Sequence, residues 1–422
     1  MPTNHLLASS LFFAVLVAAS GVGAADWPQY RGPSGDGVST EKLALTQWPA
    51  TGLRPVWKVP TPTGFSSFAV AEGKVFTVVR RMVEGNDLET CVALDGQTGR
   101  ELWAVPMSLA KYDGGGDSGG GGDGPRTTPT YNDGRVYVLD GRLVLVCIDA
   151  ATGKTFWKQD LVKQHGGEVM PWQSAAAPVI EGDLVLVAGG GPGEGLLGFN
   201  KGTGAVAWKG QDDKATQATP VAATILGARQ VIFFTRSGLV AVDPQTGTVD
   251  WHYAFPFRVS TAASPIVSGD LVYCSAGYEV GAGLVRISRD GQNWKATELW
   301  RKPRQLINHW STPVVKDGYL YGMFSFKEFN KGPLKCVELA TGKEMWSQPG
   351  FGPGNVILVG GYLLVLGDKG QLALVDPSPA GYKELSQMQA VGGKCWSTPA
   401  YSDGRVYVRS TTEGVCLDAT GK

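Results

Sequence analysis

The chain repeats itself eight times, and that repeat decides what it can fold into. The clearest half of the unit reads Asp-x-x-Thr-Gly-x-x-x-Trp. It occurs as Asp95, Thr98, Gly99 and Trp103, as Asp149, Thr152, Gly153 and Trp157, and as Asp243, Thr246, Gly247 and Trp251. Weaker copies run from Asn200 to Trp208 and from Glu338 to Trp346. A period of roughly 45 residues marks a small unit that cannot bury its apolar face alone, so the copies must stack on one another.

The other half of the unit is Thr, Ser or Ala followed by Pro, an apolar strand, a glycine turn and a second strand. Thr128-Pro129 leads to Asp133-Gly134, Ser264-Pro265 to Gly269, Thr312-Pro313 to Asp317-Gly318, and Thr398-Pro399 to Asp403-Gly404. Asp-Gly between apolar runs is a strong hairpin signal, because glycine accepts positive φ. In the first half, the Asp carboxylate can accept turn N–H groups while Gly takes the left-handed position. Each copy therefore holds four strands, the content of one propeller blade.

Two markers count the blades. The prolines fall at Pro129, Pro178, Pro220, Pro265, Pro313 and Pro399. The last interval is double the others and hides a copy beginning near Asn355; another copy, beginning near Phe68, precedes Pro129. The terminal tryptophans are Trp57, Trp103, Trp157, Trp208, Trp251, Trp300 and Trp346. The eighth copy stops at Asp418-Ala-Thr-Gly421-Lys422, before its Trp strand, while Trp57 stands on a strand with no blade before it. The expected fold is all-β: an eight-bladed propeller of four-stranded antiparallel blades, its ring closed by the N-terminal strand around Trp57. Closure of this kind removes open strand edges.

Residues 6–19 form an apolar run too short to span a bilayer comfortably, followed by small residues up to Ala24 and Ala25. This predicts a secretory signal over 1–25, although the preceding residues carry no Lys or Arg. A leader over 26–53 and the propeller over 54–422 follow. No later segment reads as a membrane span. With 38 basic and 38 acidic side chains, the chain gives no electrostatic reason to expect a nucleic acid or an anionic membrane as partner.

The six cysteines include Cys147, Cys336 and Cys416 at one repeat position, where other copies place Ala93 and Ala241. They read as small buried strand residues, and the absence of Cys-x-x-Cys suggests neither zinc nor a redox pair. The glycine-rich stretch 113–124 breaks the repeat. Its acids Asp113, Asp117 and Asp123 match no calcium-loop spacing, so it reads as a linker.

These copies resemble the PQQ-like repeat, named for pyrroloquinoline quinone, with its pattern of [LV]-x-A-L-D-x-x-T-G-x-x-x-W. The resemblance covers about residues 54 to 422. The family includes quinoprotein alcohol dehydrogenases and the outer-membrane assembly scaffold BamB. The segment Asp26-Trp27-Pro28-Gln29-Tyr30-Arg31-Gly32-Pro33, with Gly35-Asp36-Gly37, resembles the leader of secreted bacterial PQQ-like proteins. The resemblance implies that the repeat tryptophans dock blade to blade. It also implies that a quinoprotein enzyme would hold PQQ over the ring axis with calcium, an Asp base, a stacking Trp and typically adjacent cysteines. No two cysteines are adjacent here, and no calcium triad maps onto the sequence.

Function is expected where the copies stop agreeing. The loops before each Thr/Ser/Ala-Pro converge on the axis and carry Arg126, Trp172, Gln173, Gln217, His309, Trp310, Lys394 and Trp396. Three tryptophans with cations nearby suit a sugar, a quinone or aromatic ring, or a peptide carboxylate. Alternatively, each tryptophan seals its blade against the next. No catalytic residue and no metal ligand is expected. The reading is a non-catalytic, monomeric binding scaffold of the periplasm or cell envelope, or a secreted one, that takes envelope proteins or a small ligand or glycan without a bound cofactor. A PQQ- and calcium-dependent oxidoreductase and a carbohydrate-binding propeller are the alternatives.

Overall fold

The turn that names the repeat is a hydrogen-bonded knot. In the first copy, Asp95 Oδ1 accepts from the main-chain N–H of Gln97 and Thr98 and from the Thr98 hydroxyl, at 3.1, 2.8 and 2.8 Å. Asp149 and Asp243 build the same knot. The glycine that follows has a second reason to be glycine. At Gly99, Gly153, Gly204 and Gly247 the backbone has positive φ, and the Trp of the preceding blade lies where a β-carbon would sit, at 2.9, 3.0, 2.7 and 2.4 Å. The same Trp donates its indole N–H to the turn it covers. Trp57 donates to Gly96 O, Trp103 to Ala150 O, Trp157 to Lys201 O and Trp208 to Pro244 O. Asp, Thr, Gly and Trp thus form one blade-to-blade joint. Trp251 departs from it and donates to Gln230 of its own blade.

The computed structural model describes residues 26–110 and 124–421. The signal over 1–25 and the acids Asp113, Asp117 and Asp123 lie outside the described residues. The described strands make eight sheets, six of them with their strands in consecutive order and two joined by a strand from the N-terminal segment. Seven blades are continuous in sequence, beginning at Ala69, Thr130, Val179, Val221, Ile266, Val314 and Asn355. The eighth is completed across the ring. Its outer strand is Arg54–Pro60, antiparallel to Glu413–Asp418, with Trp57 opposite Cys416. The expected closure is therefore present. The one described helix is a single turn, Leu161–His165, capped by Asp160. All six cysteines are free and buried.

The residues before the prolines make a belt near the axis. Main-chain N–H groups of Ser67, Ala177, Ser264 and Thr398 donate to hydroxyls of Thr128, Thr219, Thr312 and Ser67 in the next blade, at 2.8–3.1 Å. This accounts for the Thr/Ser preference, since a buried N–H there needs an acceptor.

The leader does more than precede the ring. Trp27 pairs with Val70 on the innermost strand of the first blade, and Pro28 O accepts from Tyr131 N on that of the second. Val38–Ser39 runs parallel to Asn355–Val359, the innermost strand of the seventh. Between these contacts Arg31 sits buried. It donates to Thr312 O, Pro313 O and Asp36 O, each at 2.7 Å. Residues 26–39 thus cross the axis on the side of the glycine hairpin turns, and a pocket remains between Gln29–Gly35 and the innermost strands of the second to fourth blades. The chain then leaves outward: Leu43, Leu45, Trp48 and Leu53 pack over the seventh and eighth blades. Trp48 N donates to Ser386 Oγ and Gly52 lies on Met388, so the leader covers the outer strand that lacks a docking Trp.

Candidate functional site

The opposite face of the axis is built by the loops entering the innermost strands. It is a layer of rings. Trp310 and Trp396 lie 4.6 Å apart, and Phe65 stacks on Trp396 at 4.6 Å and 26°. Phe329 lies parallel to Trp396 at 5.8 Å. The layer continues from Trp310 to His309 at 5.0 Å, to Tyr278 at 5.3 Å, and to Trp172 at 6.4 Å on the far side of the ring. Phe326 packs on both Tyr278 and His309. Such ring pairs contribute roughly 0.5–1.5 kcal/mol each beyond simple burial.

Three cations lie over ring faces. Lys394 Nζ is 4.6 Å from the Trp396 centroid, Arg126 is 5.5 Å from Phe65, and Lys327 Nζ is 5.2 Å from Phe326. Burial, and then the neighbouring Lys369, hold the Lys394 ammonium below its usual value, with Asp368 opposing.

The structure thus unites Arg126, His309, Trp310, Lys394 and Trp396 in one network and brings Trp172 to its edge. Trp172 and Gln173 both take left-handed backbone angles. The two glutamines serve the loops instead. Gln217 Nε2 donates to Pro171 O at 2.9 Å, and Gln173 Nε2 to Ala110 O at 3.1 Å. Trp310 also joins blades, since its indole donates to Pro353 O at 2.9 Å. The blade-sealing reading of this Trp is therefore supported.

Phe65, Tyr278, Phe326, Phe329 and Lys327 escaped the sequence reading. Phe65 belongs to one of the two copies without the marker proline. The other four sit beyond second strands, as in Gly277-Tyr278 and Ser325-Phe326, where the repeat carries no marker residue. Aromatic residues just past a second strand were the available signal.

His309 is nearly enclosed. Its Nε2 faces Ser260 Oγ at 3.2 Å, its Nδ1 has no partner, and a β-carbon on Gly277 would meet that atom at 2.6 Å. Burial, with Lys327 adding repulsion, lowers its pKa from 6.5 to about 3. A base lowered in the folded state loses stability on acidification, because the unfolded chain binds the proton first. This contribution is intact above about pH 6.5 and falls between there and about pH 3, by about 1.4 kcal/mol per pH unit. His309→Gln should therefore narrow the stability difference between pH 7 and pH 4.5 by about 2–3 kcal/mol. Urea midpoints of both proteins at the two pH values check this, and equal differences would refute it.

The sequence profile of the family described as outer membrane protein assembly factor BamB matches residues 88–323 and 330–421. The chain belongs to this family. BamB of Moranella endobia is 24% identical over 284 residues, 64% of this chain and 69% of that protein. Quinohemoprotein alcohol dehydrogenase ADH IIB of Pseudomonas putida is 32% identical over 132 residues; the match spans 28% of this chain and 17% of that enzyme. Among solved structures, BamB from Moraxella catarrhalis superposes with TM-score 0.60 at 16% identity, covering 86% of this chain and 99% of that one. The quinohemoprotein alcohol dehydrogenase of Comamonas testosteroni superposes with TM-score 0.67 at 14% identity, covering 94% and 81%. This BamB-family chain shares its fold with scaffold and enzyme alike. No helix among the described residues is long and apolar enough to cross a membrane.

Proposed function

We propose that this BamB-family propeller is a non-catalytic binding scaffold of the bacterial cell envelope. Its ring-and-lysine face takes a partner-protein segment rich in acidic side chains. The observation that carries the reading is that the chain's own groups lie across both ends of the axis, with a pocket left beside the leader at one of them. Trp27 and Arg31 occupy one end, and the Trp310–Trp396 layer occupies the other. The relative named an outer membrane assembly factor supports the envelope setting.

The residues present do not fit a calcium-held quinone on the axis. Among the described residues, no three His, Cys, Asp or Glu side chains gather as a metal-binding group. The layer supplies a neutral imidazole with its pKa lowered to about 3, which is a poor match for proton transfer near neutrality. Sugar stacking is disfavoured for a different reason. Three rings already lie within 6 Å of Trp396 at angles of 15° to 34°, leaving little of its faces open.

The test uses the full chain with calcium in both arms and PQQ as the variable. PQQ is expected to leave the Tm unchanged and to elicit no dye-linked alcohol oxidation. The variant Lys327→Glu/Lys394→Glu is expected to lose, by at least about tenfold, the envelope protein that co-purifies with the wild type. PQQ-dependent turnover, or undiminished co-purification by the variant, would overturn the reading.

A further inference from the structure

We propose that the enclosed space between the first and second blades, lined by Glu89, Asp140 and Gln173, is a binding site for a hard divalent cation, calcium above all. All three side chains are at most 1% exposed. Each spends one polar atom on the main chain. Glu89 Oε2 accepts from Gly141 N at 3.0 Å, and Asp140 Oδ1 accepts from Arg142 N and Val144 N at 2.9 Å. Gln173 Nε2 donates to Ala110 O. What remains is Glu89 Oε1 and Gln173 Oε1, two buried acceptors without a partner, and Asp140 Oδ2, on whose carboxylate Ser108 acts besides the turn N–H groups.

Glu89 and Gln173 converge on Gly141. The position a β-carbon would take there is 2.6 Å from Glu89 Oε1 and 3.2 Å from Gln173 Cδ, and Asp140 is the residue before it. Glycine at 141 keeps that space open. Buried acceptors with no donor require a proton, a water or a cation. One proton neutralises a single carboxylate, whereas one divalent ion neutralises both and draws on the amide oxygen as well. Two carboxylates and an amide carbonyl, with no sulfur or imidazole, form an oxygen-only set that suits calcium or magnesium rather than zinc or copper.

Arg126 and Arg142 also act on Glu89, but more weakly than Asp140 does. Each of them donates to a main-chain carbonyl, Gly124 O and Leu109 O respectively. With no cation, burial and then Asp140 push the Glu89 carboxyl up to about 8. The site lies off the axis, on the third strand of the first blade and just past the second strand of the second. An ion there would pin those two blades to the loop that enters the third.

The experiment is calorimetric titration of the chelator-stripped full chain with calcium chloride, and separately with magnesium chloride, without PQQ. A single calcium site is expected, with a Tm that rises with calcium concentration as mass action requires. Glu89→Gln and Asp140→Asn should each weaken binding by at least about tenfold. If either fails to fold, Gln173→Leu keeps both carboxylates and should also weaken binding by about tenfold. No calcium or magnesium heat and no Tm rise in the wild type would overturn the proposal. So would wild-type affinity in the folded variants.

Discussion

Trp57→Ala is expected to destabilise the ring by about 3–5 kcal/mol and to loosen its seam. Trp57 is buried on the only outer strand that the eighth blade has, Arg54–Pro60. Its indole donates to Gly96 O of the first blade at 3.0 Å, and its ring packs on Phe68 and Tyr407 from opposite sides of the seam. Trp103→Ala is the informative control. It removes the same contacts, the indole bond to Ala150 O and the packing on Gly153, from a joint between blades whose strands follow one another along the chain. Both variants should lose similar free energy in urea. Trp57→Ala should expose residues 413–418 to faster amide exchange than Trp103→Ala does, because Glu413–Asp418 pairs along its length with the closing strand, while Arg405 and Arg409 also reach Gly96 O and Val78 O of the first blade directly. Equal exchange in the two variants would mean that the seam is held by other contacts.

The seam was readable in the sequence because the joint is written in residue types. A Trp that packs on a turn glycine leaves no room for another residue there, and the Asp, or Asn at 200, and the Thr beside it tie the turn. Each constraint recurs in most copies, so periodicity exposed it. The leader gave no such signal. Arg31 binds the carbonyls of Thr312 and Pro313, and a carbonyl is carried by every residue type. Nothing at 312 or 313 records that a guanidinium lies against it. Similarly, Trp48 and Leu53 replace a missing docking Trp without resembling one. The ring layer falls between these cases. Trp310, Trp396, Lys394 and His309 stood at a known repeat position, whereas Tyr278 and Phe326 stood at one the repeat did not flag. Gln173 and Gln217 occupied the right position, but they turn their amides onto the loops.

Arg31→Ala should release the axial segment and cost about 3–5 kcal/mol. The guanidinium is 2% exposed and meets three carbonyl oxygens at 2.7 Å. Burial lowers its pKa, opposed by Tyr30 and Asp36, so part of its charge stabilisation is already spent on desolvation. Removing it relieves that cost but leaves the buried Thr312 O and Pro313 O without their donor, whereas exposed Asp36 can rehydrate. Arg31→Met keeps most of the packing and strands the same carbonyls, so it separates the two contributions. If hydrogen bonding dominates, both variants lose comparable stability. If packing dominates, Arg31→Met recovers most of it. Gly37→Ala approaches the same joint from the other side, because a β-carbon there would lie 2.8 Å from Arg31 Nη2 and 2.9 Å from Val314 at φ of 81°. In each variant that frees the segment, the Leu358 N–H, which donates to Gly37 O, should exchange with solvent far faster while strands of the fourth blade stay protected. Protection of Leu358 equal to wild type in Arg31→Ala would show that the strand pairing of Val38–Ser39 alone holds the segment in the axis.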